Sequence, residues 1–405
     1  MNQAVDDFEF GQIAFKPLGS ARRLSFLPQA CLSLRLWQHA CERCVTVCPA
    51  AALKLDDSSM ALGEGCMGCG RCASVCPSAA LRVQGFEAPP SDLAPDLDGE
   101  VVVECWKVAN PKHGKRSSVR VPCLGGLSGF ILLELVAAAQ GHPVRLRDRG
   151  WCAGCAAGGG EVHPAAAAVE EVEKILTRLG APAAWFPQII FAPLPSALMP
   201  ADIPDPLSQQ PLSRRGFFSA FLAETTATLA SAASGAGRVG AAPRTLSLAA
   251  VAGRETKQTA ALIMALAQRA GTKPSAALFP SVEIGAACCN RGICAAACPG
   301  GALLRHEGDA ASGILFDPTA CLACGVCVEV CPEHAVRLLP EGNPAHAVNP
   351  VELHRLAHRS CSECGEKFTG KSESQICPAC AKRHAMGASL FGIGSADSRS
   401  SATGC

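Results

Sequence analysis

Residues 66–77 read CMGCGRCASVCP, and residues 321–332 read CLACGVCVEVCP. Both follow C-x2-C-x2-C-x3-C-P without departure: Cys66, Cys69, Cys72, Cys76 and Pro77 in one, Cys321, Cys324, Cys327, Cys331 and Pro332 in the other. A tight loop of three cysteines wraps three corners of a cubane iron–sulfur cluster, and the fourth cysteine points at a second cluster. Gly68, Gly70 and Gly325 let the backbone pass close to inorganic sulfide, and the proline redirects the chain after one helical turn. Two complete copies are strong grounds against cysteine as an ordinary core residue.

Each complete motif has an incomplete neighbour. In the first block Cys41, Cys44 and Cys48-Pro49 fill the last three ligand places; the first falls on Gln38, and Cys31 lies upstream as the replacement. In the second block Cys288, Cys294 and Cys298-Pro299 fit; the second place falls on Arg291, and Cys289 is the candidate substitute. The crossed pattern groups Cys66, Cys69 and Cys72 with Cys48, and Cys41, Cys44 and Cys76 with Cys31. It likewise groups Cys321, Cys324 and Cys327 with Cys298, and leaves Cys288, Cys289, Cys294 and Cys331 for the last site. A three-iron cluster, or none, is the alternative at the two irregular sites.

The two blocks repeat one another, each with a Cys-rich loop, a helical turn ending at Cys-Pro, and a short apolar strand such as ALRV or AVRLL. Both resemble bacterial two-cluster ferredoxins, which implies a pseudo-symmetric α+β ferredoxin fold for each. From Ser213 the chain also resembles NapF-type ferredoxins, on the text SRRGFF (213–218). That resemblance implies a partner among molybdenum enzymes, such as formate dehydrogenase or nitrate reductase, served either as electron carrier or as assembly factor. Because SRRGFF is internal and SAFLAETTATLASA is a poor apolar segment, an amphipathic helix capped by Ser213 is the expectation rather than an export signal.

Between the blocks lie Cys105, Cys123, Cys152 and Cys155. VVVEC, VRVPC and PVRLRDRG read as strands, and SGFILLELVAAAQG as a helix stopped at Gly141, which predicts a small α/β unit with its thiols at strand ends. VPCLGG and DRGWCAGC resemble the iron–sulfur subunit of methyl-viologen-reducing hydrogenase (MvhD type), which implies a [2Fe–2S] cluster on these four residues. ECWKVAN departs by lacking that family's second nearby cysteine. A redox-active Cys152/Cys155 dithiol is the alternative. Near the end, Cys361, Cys364, Cys377 and Cys380 form two C-x2-C knuckles around a short polar hairpin, the pattern of a zinc ribbon with four thiolates in a closed tetrahedron; a rubredoxin-like iron site, whose intervening chain is usually longer, is the alternative.

Composition agrees with metal rather than disulfides. Among 405 residues there are 25 cysteines, 5% aromatics and no tyrosine, so the small modules gain little from apolar burial and call for metal. The acidic, Gly/Pro-broken start is no secretory signal, and no apolar run reaches membrane length, so a cytoplasmic protein without a transmembrane segment is expected. A net charge of +1 argues against nucleic acid. His39 and His334 lie near cluster cysteines and read as surface residues.

The resulting expectation is α+β: a ferredoxin-like dicluster domain (1–88), an α/β iron–sulfur module (99–200), a linker and helical region with SRRGFF (201–280), a second dicluster domain (281–345), a zinc ribbon (346–384) and a disordered tail (385–405). Such a chain has no catalytic site of its own. It holds up to four [4Fe–4S] clusters, one [2Fe–2S] cluster and zinc, and exchanges single electrons with a partner oxidoreductase subunit.

Overall fold

A computed structural model describes residues 12–15, 22–35, 41–56, 59–63, 65–87, 89, 93–108, 118–158, 160–194, 253–342, 348–370 and 375–391. Helix and strand are mixed throughout. The SRRGFF segment and His39 lie outside the described residues. Among the described residues no helix is long and apolar enough to cross a membrane.

The first repeat unit contains β1 (Gln12–Phe15), β2 (Arg22–Phe26), α1 (Leu32–Arg35), α2 (Arg43–Thr46), β3 (Leu53–Leu55), β4 (Met60–Leu62), α3 (Arg71–Ser74) and β5 (Leu81–Val83). The flanking strands β2 and β5 pair antiparallel, Phe26 opposite Leu81, and β3–β4 is a hairpin with Leu53 opposite Leu62. Strands this short cannot form a core unaided. Leu24, Phe26, Leu53, Met60 and Leu81 pack instead around the thiols of Cys31 and Cys44.

Next comes an open parallel sheet. Its strands are β6 (Val101–Cys105), β7 (Ser118–Val121), β8 (Val144–Asp148) and β9 (Gln188–Phe191), in the order β7-β6-β8-β9. β6 lies inside the sheet, paired on both edges, and its VVV run is buried as a central parallel strand requires. α4 (Gly129–Ala138) starts where Ser128 Oγ accepts the Ile131 N–H at 3.3 Å, and stops at Gln140 and Gly141, both at positive φ. Leu132, Leu133, Leu135 and Val136 bury it. α5 (Ala166–Arg178) contributes Val169, Val172 and Leu176 to the same core.

This core reaches beyond the expected 99–200 boundary. α6 (Arg254–Ala270), placed by sequence in the linker region, inserts Ala260, Ile263, Leu266 and Ala267 into it, and Phe279 follows. The reason is the spacing of those residues, which puts one apolar stripe on an otherwise charged helix that must be covered.

The second repeat unit has β10 (Ser281–Ile284), α7 (Ile293–Ala297), β11 (Leu303–Glu307), β12 (Ala311–Phe316), α8 (Val326–Glu329) and β13 (Val336–Leu339). β10 pairs with β13 and β11 with β12, the connectivity of the first unit again. β14 (Val351–Ser360) then pairs antiparallel with β12 and continues into β15 (Lys367–Thr369), so one sheet crosses the boundary expected at 345/346. α9 (Pro378–Phe391) extends the last knuckle. The expected disordered tail from residue 385 is thereby corrected as far as Phe391. Pro378 at the helix start and Ala, Met and Leu further along favour its continuation.

Candidate metal centres

One local device recurs. CPAAA, CPSAA, CPGGA and CPEHA begin at Cys48, Cys76, Cys298 and Cys331. The third residue after each of these cysteines takes positive φ: Ala51, Ala79, Gly301 and His334. That turn aims the next backbone N–H at sulfur, and Ala52, Ala80 and Ala335 each donate to Cys48, Cys76 and Cys331 Sγ at 3.3 Å. The following alanines, Ala52, Ala80, Ala302 and Ala335, are buried. His334 is exposed at this corner.

The thiols converge in sets. Cys31, Cys41, Cys44 and Cys76 line one cavity with Phe26, Met60 and Leu81. Cys48, Cys66, Cys69 and Cys72 line another with Leu24, Leu53 and Val83. Cys31 arrives on a turn, Pro28–Ala30, matching Pro318–Ala320 before Cys321; PQAC and PTAC are the sequence trace of this equivalence. Cys298, Cys321, Cys324 and Cys327 line a third cavity. Cys288, Cys294 and Cys331 lie together in the core of the second unit. Cys289 does not offer a free thiol to that group, because it is disulfide-bonded. Cys288 turns its sulfur onto the Asn290 N–H at 3.3 Å, and Arg291, at the second ligand place, pairs with Glu333 at 2.9 Å.

Burial dominates the electrostatics. It pushes the Cys44 thiol up to about 12, with neighbouring Cys76, Cys31 and Cys41 adding to the effect. Cys327 rises to about 12 and Cys321, Cys66 and Cys294 to about 11 for the same first reason. Crowded, desolvated thiolates are therefore costly until a cation joins them, and metal binding releases their protons.

In the parallel sheet the thiols sit at carboxyl ends of strands, where open α/β sheets form their sites. Cys105 ends β6, Cys123 follows β7, and Cys152 and Cys155 follow β8; all four line one cavity. Gly158 closes the loop, donating its N–H to Cys155 O at 2.7 Å. Lys107 Nζ donates to Cys155 Sγ at 3.1 Å, and the Cys123 thiol is pushed up to about 12 by burial. Asp148, Cys152 and His163 bring a carboxylate oxygen, a sulfur and a ring nitrogen within 4.8 Å of one another. Trp151 Nε1 and His163 Nε2 are buried with no hydrogen-bond partner. Two orphaned donors beside four thiols fit a sulfide-bearing group, whose sulfurs accept N–H hydrogen bonds. Sequence reasoning missed Lys107, Asp148, Trp151 and His163; only nearness to a cysteine along the chain marked the first three, and nothing marked His163.

The four knuckle cysteines, Cys361, Cys364, Cys377 and Cys380, also gather within 4.8 Å. Backbone N–H groups of Cys364 and Cys377 hold the Cys361 thiol down to about 6. Cys380 N–H donates to Cys377 Sγ at 3.4 Å, and Arg383 to Cys380 Sγ at 3.2 Å. Four thiols gathered this closely, one of them held toward its thiolate, are a donor set that could hold a zinc ion.

Residues 39–86 match the LdpA Fe-S cluster-binding domain, and residues 314–337 match the 4Fe-4S binding domain. Those spans contain both complete motifs. The chain is an iron–sulfur protein. No curated protein matches it.

The units touch. Arg71 Nη1 of the first donates to Gly158 O of the parallel-sheet unit at 2.8 Å, and Cys69 packs with Cys123 and Ala157. A cleft of about 1260 Å³ carries Cys48 and Cys76 on one wall and Cys321 on another. Arg43 on α2 is close enough to Cys324 to favour its thiolate.

Proposed function

We propose that this protein carries single electrons along its own length, to or from a partner oxidoreductase. The observation that supports this most is that the thiol sets neighbour one another in series. The series runs from Cys288/Cys294/Cys331 to Cys298/Cys321/Cys324/Cys327, then across the cleft to the first unit, and through the Cys69–Cys123 contact to the sheet-end thiols.

In this reading Cys31, Cys41, Cys44 and Cys76 hold one [4Fe–4S] cluster, Cys48, Cys66, Cys69 and Cys72 a second, and Cys298, Cys321, Cys324 and Cys327 a third. Cys288, Cys294 and Cys331 hold a fourth, with Cys289 available to it once its disulfide is reduced. Cys105, Cys123, Cys152 and Cys155 hold a [2Fe–2S] cluster, and Cys361, Cys364, Cys377 and Cys380 a structural zinc. When bound, the clusters supply one-electron redox chemistry. The chain supplies the rest: thiolates fix the positions, the alanines and leucines around them exclude water, and N–H groups stabilise charge on sulfur. In this reading the chemistry of a substrate belongs to a separate protein. A molybdenum enzyme such as formate dehydrogenase is the partner that the SRRGFF text points to.

Anaerobic purification with iron, sulfide and zinc counts, and EPR of the reduced protein, tests the reading. About twelve irons belong to the three four-thiol cubane sites, up to about four to the Cys288 site and about two to the sheet, with about one zinc. Fewer than about eight irons after reconstitution would contradict it.

A further inference from the structure

We propose that the sheet-end centre at Cys105, Cys123, Cys152 and Cys155 is the electron-collecting end of the chain, with the highest reduction potential of its clusters. This rests on the [2Fe–2S] reading above. Reduction adds one negative charge to the cluster and its thiolates. Hydrogen-bond donors and cations aimed at the sulfurs stabilise that charge and raise the potential.

Side chains supply such donors here. Lys107 places an ammonium on Cys155 Sγ at 3.1 Å. His163 is fixed as a donor by its other nitrogen: Nδ1 accepts the Ala165 N–H at 3.2 Å, so the ring proton resides on Nε2. That Nε2–H is buried and has no hydrogen-bond partner; the nearest carboxylate oxygen, Asp148 Oδ2, is 4.0 Å away, and Cys152 Sγ lies within 4.8 Å. Trp151 Nε1–H is a second buried donor without a partner, and its residue lines the cavity of the four thiols. At the repeat units the hydrogen bonds onto Cys48, Cys76 and Cys331 come from backbone N–H groups, and Arg71 near Cys69 and Arg43 near Cys324 act through their charge. Asp148 opposes the effect with one negative charge against the Lys107 cation and two neutral donors.

The step balances as a bare electron transfer. One electron leaves the centre at Cys48, Cys66, Cys69 and Cys72 and is taken up at the sheet-end centre, across the packed Cys69–Cys123 contact. The first is oxidised by one electron, the second reduced by one, and no bond or proton moves.

The test is a potentiometric EPR titration of the full, iron-loaded chain. Cys105→Ser identifies the sheet-end signal by its loss, and that signal appears first on reduction of the unaltered protein. His163→Leu and Lys107→Met each lower its potential by about a tenfold change in the reduced-to-oxidised ratio, about 59 mV for one electron. His163→Gln, which keeps a donor, restores most of the loss, and the cubane signals stay in place in all three. A sheet-end signal that appears after the cubanes, or one that neither variant shifts, overturns the inference while leaving the [2Fe–2S] reading intact. If Cys105→Ser removes no signal and no iron, the [2Fe–2S] reading itself fails and the inference goes with it. Should His163→Leu not load, Lys107→Met and His163→Gln still decide the question.

Discussion

Gly126 has no room for a side chain. A Cβ there would fall 2.4 Å from Cys69 O and 2.2 Å from Phe86 Cζ, and the first of these is backbone that cannot swing away. The glycine therefore sets how closely the first repeat unit approaches the parallel sheet. Gly126→Ala is expected to destabilise the loaded protein by about 1–3 kcal/mol. Urea unfolding gives that number, and slower reduction of the sheet-end centre in stopped flow shows the opened contact; unchanged stability would mean the two units do not meet there. The Glu104–Arg149 pair is a second residue-scale case. Glu104 is 7% exposed, and Arg149 donates to it from Nε at 2.9 Å and to Ala192 O at 3.3 Å. Arg149→Met leaves the carboxylate uncompensated, an expected cost of about 3–5 kcal/mol. Adding Glu104→Leu to that variant recovers part of the loss if the charge is the cause.

At the scale of elements, α4 holds the largest core together. Leu133 is fully buried between the sheet and its covering helices. Leu133→Ala is expected to cost about 2–5 kcal/mol, read from the urea midpoint. β14 behaves differently because it serves two masters: Val351–Ala357 pairs with β12, and His358–Ser360 with β15 beside the knuckles. Removing the proposed zinc with a chelator should free the β15 pairing and α9 while β12–β14 survives. Hydrogen exchange by residue checks this: protection is expected to vanish at Phe368 and persist at Ile314, and uniform loss would show that the knuckles and the second unit fold as one.

For the whole molecule the buried thiols give a pH dependence. In the iron-free chain the folded-state values of Cys44, Cys123 and Cys327 stand near 12 against an ordinary 9.0. Between those values the unfolded chain loses protons that the folded chain keeps, so stability falls as pH rises above about 9. Thermal melts of iron-free protein at rising pH measure the loss; a flat profile from 8 to 10 would mean that the thiols are not buried without metal. The amino-acid order alone determined the local chemistry of this protein: the spacing of Cys66 to Cys76 and of Cys321 to Cys331 is written within a dozen residues each, because the cluster loop and the helical turn after it are contiguous in the chain. The strands and helix of residues 101–148 were legible for the same reason, since their periodicity is local. Tertiary structure alone decided that Cys289 is spent in a disulfide, that α6 completes the core of the sheet, that β14 runs through an expected boundary, and that His163 and Lys107 face the sheet-end thiols. Those outcomes depend on packing and close approach between residues far apart along the chain, which no local spacing encodes.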